Sequence, residues 1–173
     1  MSAKYKILFV CLGNICRSPA AEGIMKKMVE EEGLPDVIMV DSAGILDYHE
    51  GELPDKRMRD YAFRRGYKLD SFSSPVKLPD FEKYDLIIGM DDSNYDRLRA
   101  MAPNLEAKQK VRRMREFLQN HSNDHIPDPY YGSEHGFELV LDLLEDGCKG
   151  LIDEIRNSLN LDNNPKAALP QDS

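Results

Sequence analysis

The stretch Val10-Cys11-Leu12-Gly13-Asn14-Ile15-Cys16-Arg17-Ser18-Pro19 concentrates a thiol, a guanidinium and a hydroxyl in one short turn. An apolar, strand-like run at residues 5–10 precedes it and a helix-like run at residues 19–32 follows. This spacing predicts the first βα turn of an α/β protein, a place where anions bind. Gly13 and Asn14 tolerate left-handed backbone, so the loop from Leu12 to Cys16 can curl and aim successive N–H groups at one multiply charged oxyanion. Arg17 adds a planar fork for two equatorial phosphate oxygens. Ser18 and Pro19 stand where an N-cap and a first helical residue belong, which would point the positive end of the helix dipole at the same spot.

Groups that hold a phosphate also stabilise a thiolate, the nucleophilic form of cysteine. The chemistry this predicts is attack of Cys11 on phosphorus, with the Ser18 hydroxyl donating to the sulfur when it later departs. A solitary cysteine after a strand is more often a small buried hydrophobe. A cysteine and an arginine separated by five residues, followed by Ser-Pro at a helix start, form a much more specific pattern.

The stretch from Cys11 to Pro19 resembles the phosphate loop of the low-molecular-weight protein tyrosine phosphatases, which lies near the N-terminus in that family. Asp128-Pro129-Tyr130-Tyr131 resembles the family's general-acid loop, and the likeness runs over residues 5–158, through Asp41-Ser42-Ala43-Gly44 and Gly89-Met90-Asp91-Asp92-Ser93-Asn94. The resemblance implies Cys11 as nucleophile, Asp128 as general acid and Arg17 on the phosphoryl group. Leu12, Gly13, Asn14, Ile15, Cys16 and Ser18 would bind phosphate, Tyr48 and Tyr130 would flank a substrate ring, and Ser42 and Tyr131 would support them. It implies no cofactor and no metal, because protein groups supply the positive charge. One segment departs from the family: many members carry a His near the position of Ser71 that bonds the loop Asn. This chain has Ser71-Phe72-Ser73-Ser74, which leaves the support of Asn14 to Ser71 or Ser73.

The elements that must position these groups follow from apolar periodicity. A helix at residues 20–32 buries Ile24, Met25, Met28 and Val29, and a strand at residues 37–40 ends in Asp41-Ser42-Ala43-Gly44 at the same edge as Cys11. Residues 55–65 read as a helix closed by Gly66, residues 84–90 as a third strand, and Asp91-Asp92-Ser93-Asn94 as a capped helix start. Residues 111–118 read as a fourth strand whose Arg112, Arg113 and Arg115 form a solvated face or orient acidic substrate residues. Pro127 and Pro129 bracket Asp128 and limit its backbone freedom, as a positioned acid requires; Asp-Pro is equally a common turn pair. A long helix spans residues 137–159 with Cys148 on its core side, and the polar residues 160–173 read as a disordered tail. The expectation is one domain at residues 1–159: an α/β three-layer sandwich, a four-stranded parallel sheet with helices on both faces.

The chain of 173 residues is long enough for a real core. A net charge of −8 excludes a general nucleic-acid or anionic-membrane binder. Three cysteines do not make an evenly paired secreted framework, and no apolar stretch approaches a membrane span or a signal peptide, so a cytoplasmic protein is expected. Its partners would be a phosphotyrosine-containing protein and inorganic phosphate or a similar oxyanion in the loop, and the chain would act as a monomer or weak homo-oligomer. Arginine-phosphate phosphatases commonly have Thr at the position of Ile15, so Ile15 with Tyr48 and Tyr130 favours an aromatic substrate. Arsenate reductases need relay cysteines that residues 81–92 lack. A non-catalytic phosphotyrosine-binding module would have no need of both Cys11 and Asp128.

Overall fold

The structure, a computed structural model, describes residues 4–130 and 134–161. Strand β1 (Tyr5–Cys11) serves two cores at once because successive strand side chains point to opposite faces. Ile7, Phe9 and Cys11 join one buried cluster and Leu8 and Val10 the other. Strands β2 (Ile38–Gly44), β3 (Leu86–Gly89) and β4 (Val111–Arg113) complete a sheet of order β2-β1-β3-β4, with every pairing parallel. The register sets Cys11 beside Gly44 and Val10 beside Gly89, so three strands end together at one edge.

Helices α1 (Arg17–Glu31), α2 (Lys56–Arg64) and α6 (Glu134–Ser158) contribute to the first cluster through residues such as Ile24, Met58 and Leu144. Helices α3 (Asp80–Lys83), α4 (Asp92–Met101) and α5 (Leu105–Gln109) contribute Phe81, Leu98 and Ala107 to the second. The result is the three-layer α/β sandwich that the alternating apolar runs predict. Side-chain caps begin three helices: Asp55 accepts from Arg57 and Met58 N–H, Asp91 from Asn94 N–H, and Asn104 from Ala107 N–H. Gly66, at φ +91°, lies just beyond the end of α2 as predicted.

Two expectations are corrected. The fourth strand stops at Arg113 and gives way to a 3-10 turn, Met114–Phe117, in place of a strand running to Leu118. The Glu116 carboxylate draws the chain into that turn by accepting from Arg113 N–H at 2.8 Å. Of the arginines there, Arg112 pairs with Glu116 and Glu154, and Arg113 reaches Asp92 and stacks over Tyr95. The second correction concerns α1, which begins at Arg17, so that Ser18 is its second residue and not its cap. The Cys16 carbonyl accepts from Ala20 N–H as the first bond of the helix, and the Ser18 hydroxyl lies 3.0 Å from Cys11 Sγ. The predicted tail from residue 162 onward lies outside the described residues.

Candidate active site

The loop between β1 and α1 is pinned from outside by its carbonyl oxygens. Those of Cys11 and Leu12 accept from Ile45 and Leu46 N–H, that of Gly13 from the Ser73 hydroxyl at 3.0 Å, and that of Ile15 from Asp55 N–H at 2.7 Å. A trans peptide plane carries its C=O and N–H on opposite edges, so each carbonyl tied outward turns the following N–H the other way. The N–H groups of residues 12–14 and 16 therefore turn away from these outside partners, as an anion nest requires. Asn14 has the left-handed conformation, φ +57°. Gly13 does not; its missing side chain makes room for the His49 ring, since a Cβ there would lie 3.1 Å from His49 Cδ2.

Cys11 stands at the start of this loop, buried, with its Sγ 3.0 Å from Ser18 Oγ and 3.4 Å from Ser18 N. Hydrogen-bond accounting narrows what the hydroxyl can do. Ser74 N–H can only donate, and it meets Asn14 Oδ1 at 3.0 Å, so the Asn14 amide nitrogen is the atom facing Ser18 and Ser42. Both serine oxygens accept from it, at 2.8 and 3.0 Å. Ser42 then donates to Glu22 Oε1 at 2.6 Å, and the Ser18 proton has two acceptors within reach, Cys11 Sγ at 3.0 Å and the Ala43 carbonyl at 3.3 Å; a Cys11 thiolate, which can only accept, draws it to the sulfur. Asn14 is thus held by Ser42 and by the Ser74 backbone. Ser73 serves Gly13, and neither Ser71 nor Ser73 takes the part that the family His plays.

The second loop cysteine, Cys16, is buried as well. Burial, followed by the nearby Asp55, Cys11 and Asp128, pushes its thiol pKa up. A raised pKa disfavours the nucleophilic thiolate at Cys16.

Arg17 is 3% exposed and its guanidinium is fixed on two sides. Nη1 donates to Asp91 Oδ2 at 2.7 Å and to the Ile126 carbonyl at 3.0 Å, while Nη2 lies 3.5 Å from Asp128 Oδ2. Burial works against the charge, but Cys11, Asp91 and Asp128 outweigh it and raise the Arg17 pKa above its ordinary value. Asp91 divides its two oxygens between capping α4 and orienting Arg17. Sequence reading found the cap and missed the second role, because no local pattern links positions 17 and 91.

The segment carrying Asp128 is fastened at several points. Ile126 N–H donates to the Met90 carbonyl, and Arg57 Nη2 donates to the Tyr130 carbonyl at 2.8 Å. Asp128 Oδ1 accepts from Tyr130 N–H at 3.0 Å, which is the Asp-Pro turn, and Oδ2 is left toward Arg17. The carboxylate is 39% exposed and lines a pocket of about 170 Å³ together with Cys11, Arg17, Ile15, Tyr48 and Tyr130. Leu12, Gly13 and Cys16 also line it, and Asn14, Ser18 and Ser42 lie behind. Tyr131 lies outside the described residues. His49 and Leu46 belong to the pocket although sequence reading passed over them; a His in a loop of polar residues carries no signal of its own. Among the described residues, no group of His, Cys, Asp and Glu is arranged to hold a metal ion.

Fold and site together define an α/β protein that can hold a tetrahedral oxyanion between a thiol and a carboxylic acid. The chain belongs to the low molecular weight phosphotyrosine protein phosphatase family, whose model matches residues 6–161. It is 46% identical to a protein tyrosine phosphatase from Entamoeba histolytica crystallised with Hepes in the active site; the match has a TM-score of 0.88 and covers 90% of this chain and 99% of that one. A Synechocystis relative is 43% identical over 154 residues, 89% of this chain and 98% of its own. The Bacillus subtilis structure of YfkJ, at 35% identity, superposes with a TM-score of 0.84 over 91% of this chain and 98% of that chain.

Proposed function

We propose that the protein hydrolyses phosphotyrosine in protein substrates through a phosphocysteine intermediate, with Cys11, Arg17 and Asp128 as catalytic residues. The phosphoryl group enters the nest of N–H groups at residues 12–14 and 16, where Arg17 clamps two of its oxygens. Cys11 Sγ attacks phosphorus, the bond to the phenolic oxygen breaks, and Asp128 gives that oxygen its proton. Asp128, now a carboxylate, takes a proton from the water that attacks the phosphocysteine. Sulfur departs as a thiolate that receives the Ser18 hydrogen bond, and inorganic phosphate leaves the loop. Positive charge fixed before the substrate arrives lowers the barrier in both steps.

The observation that supports this reading is a single pocket lined by both the Cys11 thiol, whose sulfur lies 3.0 Å from the Ser18 hydroxyl, and the Asp128 carboxylate. Ile15, Tyr48 and Tyr130 make the pocket mouth apolar and aromatic, which suits a phenyl ring better than the guanidinium of phosphoarginine. The three described cysteines are free, and a reducing cytoplasm suits a reaction that oxidation of Cys11 would stop. Among the described residues no helix is long and apolar enough to cross a membrane. One domain at residues 1–159, acting as a monomer or weak homo-oligomer, suffices because every proposed catalytic group comes from the same chain.

Cys11→Ser tests the mechanism. The variant should lose turnover of phosphotyrosyl peptides and of aryl phosphates yet still bind inorganic phosphate or vanadate, because the loop N–H groups and Arg17 remain. Substantial residual turnover would rule out a phosphocysteine. Faster hydrolysis of phosphoarginine than of phosphotyrosine by the unmodified protein would reassign the substrate.

A further inference from the structure

Beside the catalytic pocket lies a second concavity of about 530 Å³ that shares Ile15, His49 and Tyr130 with it. Its outer wall includes Leu53, Pro54 and Phe72. Scattered apolar side chains are ordinary on a protein surface, but here Phe72, 66% exposed, and Leu53, 42% exposed, border one groove. The backbone holds them there. Gly51 N–H donates to the Ser73 carbonyl and Ser73 N–H to the Glu52 carbonyl, both at 2.8 Å, so the residues adjoining Leu53 and Phe72 are laddered together. The same frame is fastened to the phosphate loop through Ser73 Oγ on Gly13 and Asp55 N–H on Ile15.

The charged groups in these walls each have a partner within the chain. Glu52 faces His49 at 3.0 Å, Asp55 holds Arg57, Lys56 pairs with Asp60 at 2.8 Å, and Arg59 Nε donates to the Pro54 carbonyl at 2.9 Å. Beside these groups the groove offers the apolar side chains of Leu53, Pro54 and Phe72, and apolar area favours an apolar occupant. We propose that the groove accepts a large apolar side chain flanking the phosphotyrosine, and that Leu53 and Phe72 are specificity-determining residues for the protein substrate. The proposal rests on the phosphotyrosine reading above. A peptide whose phosphoryl group sits against Cys11 passes the shared wall of His49 and Tyr130 as it leaves the pocket. An extended chain advances about 3.3–3.6 Å per residue, so a side chain one to a few positions away comes into reach of the groove.

The test compares phosphotyrosyl peptides carrying Leu or Ser at each position on either side of the phosphotyrosine, with nitrophenyl phosphate as a substrate too small to reach the groove. For the unmodified protein, Leu at one position should raise kcat/KM roughly tenfold over Ser. Leu53→Ser and Phe72→Ser should each erase most of that preference while keeping kcat/KM on nitrophenyl phosphate within about twofold. Neither side chain belongs to either buried cluster, so either variant should fold. Hydrolysis of nitrophenyl phosphate without any Leu-over-Ser preference would overturn the groove and leave the phosphatase reading standing, as would a preference that survives both substitutions. A dimer that these substitutions convert to monomer, with no change in peptide preference, would assign the groove to a second copy of the chain and overturn the proposal. If nothing is hydrolysed the phosphatase reading fails. The groove is then decided by whether Leu peptides bind the Cys11→Ser protein roughly tenfold more tightly than Ser peptides.

Discussion

Asp128 and Asp91 show how one carboxylate serves two purposes. Each gives one oxygen to a backbone N–H that fixes its own loop and turns the other toward Arg17. For Asp128 the second oxygen also faces the pocket, where the leaving phenol must collect a proton. A tyrosine phenol has a pKa of about 10, so its unassisted departure near neutral pH is slow, and general-acid help is typically worth ~10²–10⁴-fold. A nitrophenol is more acidic and needs that help less. Asp128→Asn should therefore slow the first step far more on phosphotyrosine than on nitrophenyl phosphate, measured by burst or single-turnover kinetics because the second step can limit the steady state. Equal slowing on both would show that Asp128 shapes the loop without delivering the proton.

Two helices define what the loops can do. At α1 the start at Arg17 places Ser18 inside the first turn, with its oxygen behind Cys11. Ser18→Ala should retard breakdown of the phosphocysteine more than its formation, by roughly 10–10²-fold for a hydrogen bond to a charged sulfur, so phosphocysteine should accumulate in rapid-quench experiments. An unchanged ratio of the two rates would mean that the hydroxyl only packs. At α6 the contact is steric. A Cβ on Gly150 would sit 1.9 Å from the Phe117 carbonyl oxygen, and one on Gly147 would sit 2.6 Å from Met114 Cε. The methionine tip can swing away; the carbonyl cannot. Gly150→Ala should accordingly cost about 1–3 kcal/mol or more despite its better helix propensity, while Gly147→Ala costs less, as denaturant midpoints would show.

Across the whole molecule, Asp146 on α6 anchors the chain that leads to the acid loop. Its carboxylate accepts from Gln119, Asn120 and His121 N–H and from His121 Nδ1 at 2.9 Å. Burial raises its pKa, and the His121 and backbone hydrogen bonds more than offset that, so the folded value lies below the ordinary 3.8. A depressed carboxylate contributes stability that is fully present above the unfolded value and disappears as pH falls through the folded one. Asp146→Asn should lower stability at neutral pH by about 1–3 kcal/mol and flatten the acid limb of the stability curve, read from unfolding midpoints at successive pH values. Parallel acid limbs in the two proteins would contradict this. The net charge of −8 repels a phosphorylated partner only weakly at physiological salt, where screening acts over about 8 Å, so under the proposed function binding is governed by groups close to the phosphoryl oxygens.

The turn between β1 and α1 was legible in the sequence because the residues that make it a candidate site are local. Cys11, Asn14, Arg17 and Ser18 lie within one turn, and the backbone preference of Asn14 and the apolar runs around the loop are properties of neighbouring residues. The parallel sheet was legible for the same reason, since four short apolar runs separated by helical ones admit few arrangements. Strand and helix ends were less so: β4 stops early because a Glu116 side chain captures a backbone N–H, a contest between local hydrogen bonds that apolar periodicity does not register. The orientation of Arg17 by Asp91 and Ile126, the hold on Asn14 by Ser42 and Ser74, and the bond from Arg57 to the acid loop were decided only by tertiary structure. Each joins residues 28 to 109 positions apart, brought together by where the strands end and how the helices pack on them. A sequence records which donors and acceptors exist; which of them meet is settled when the three layers close.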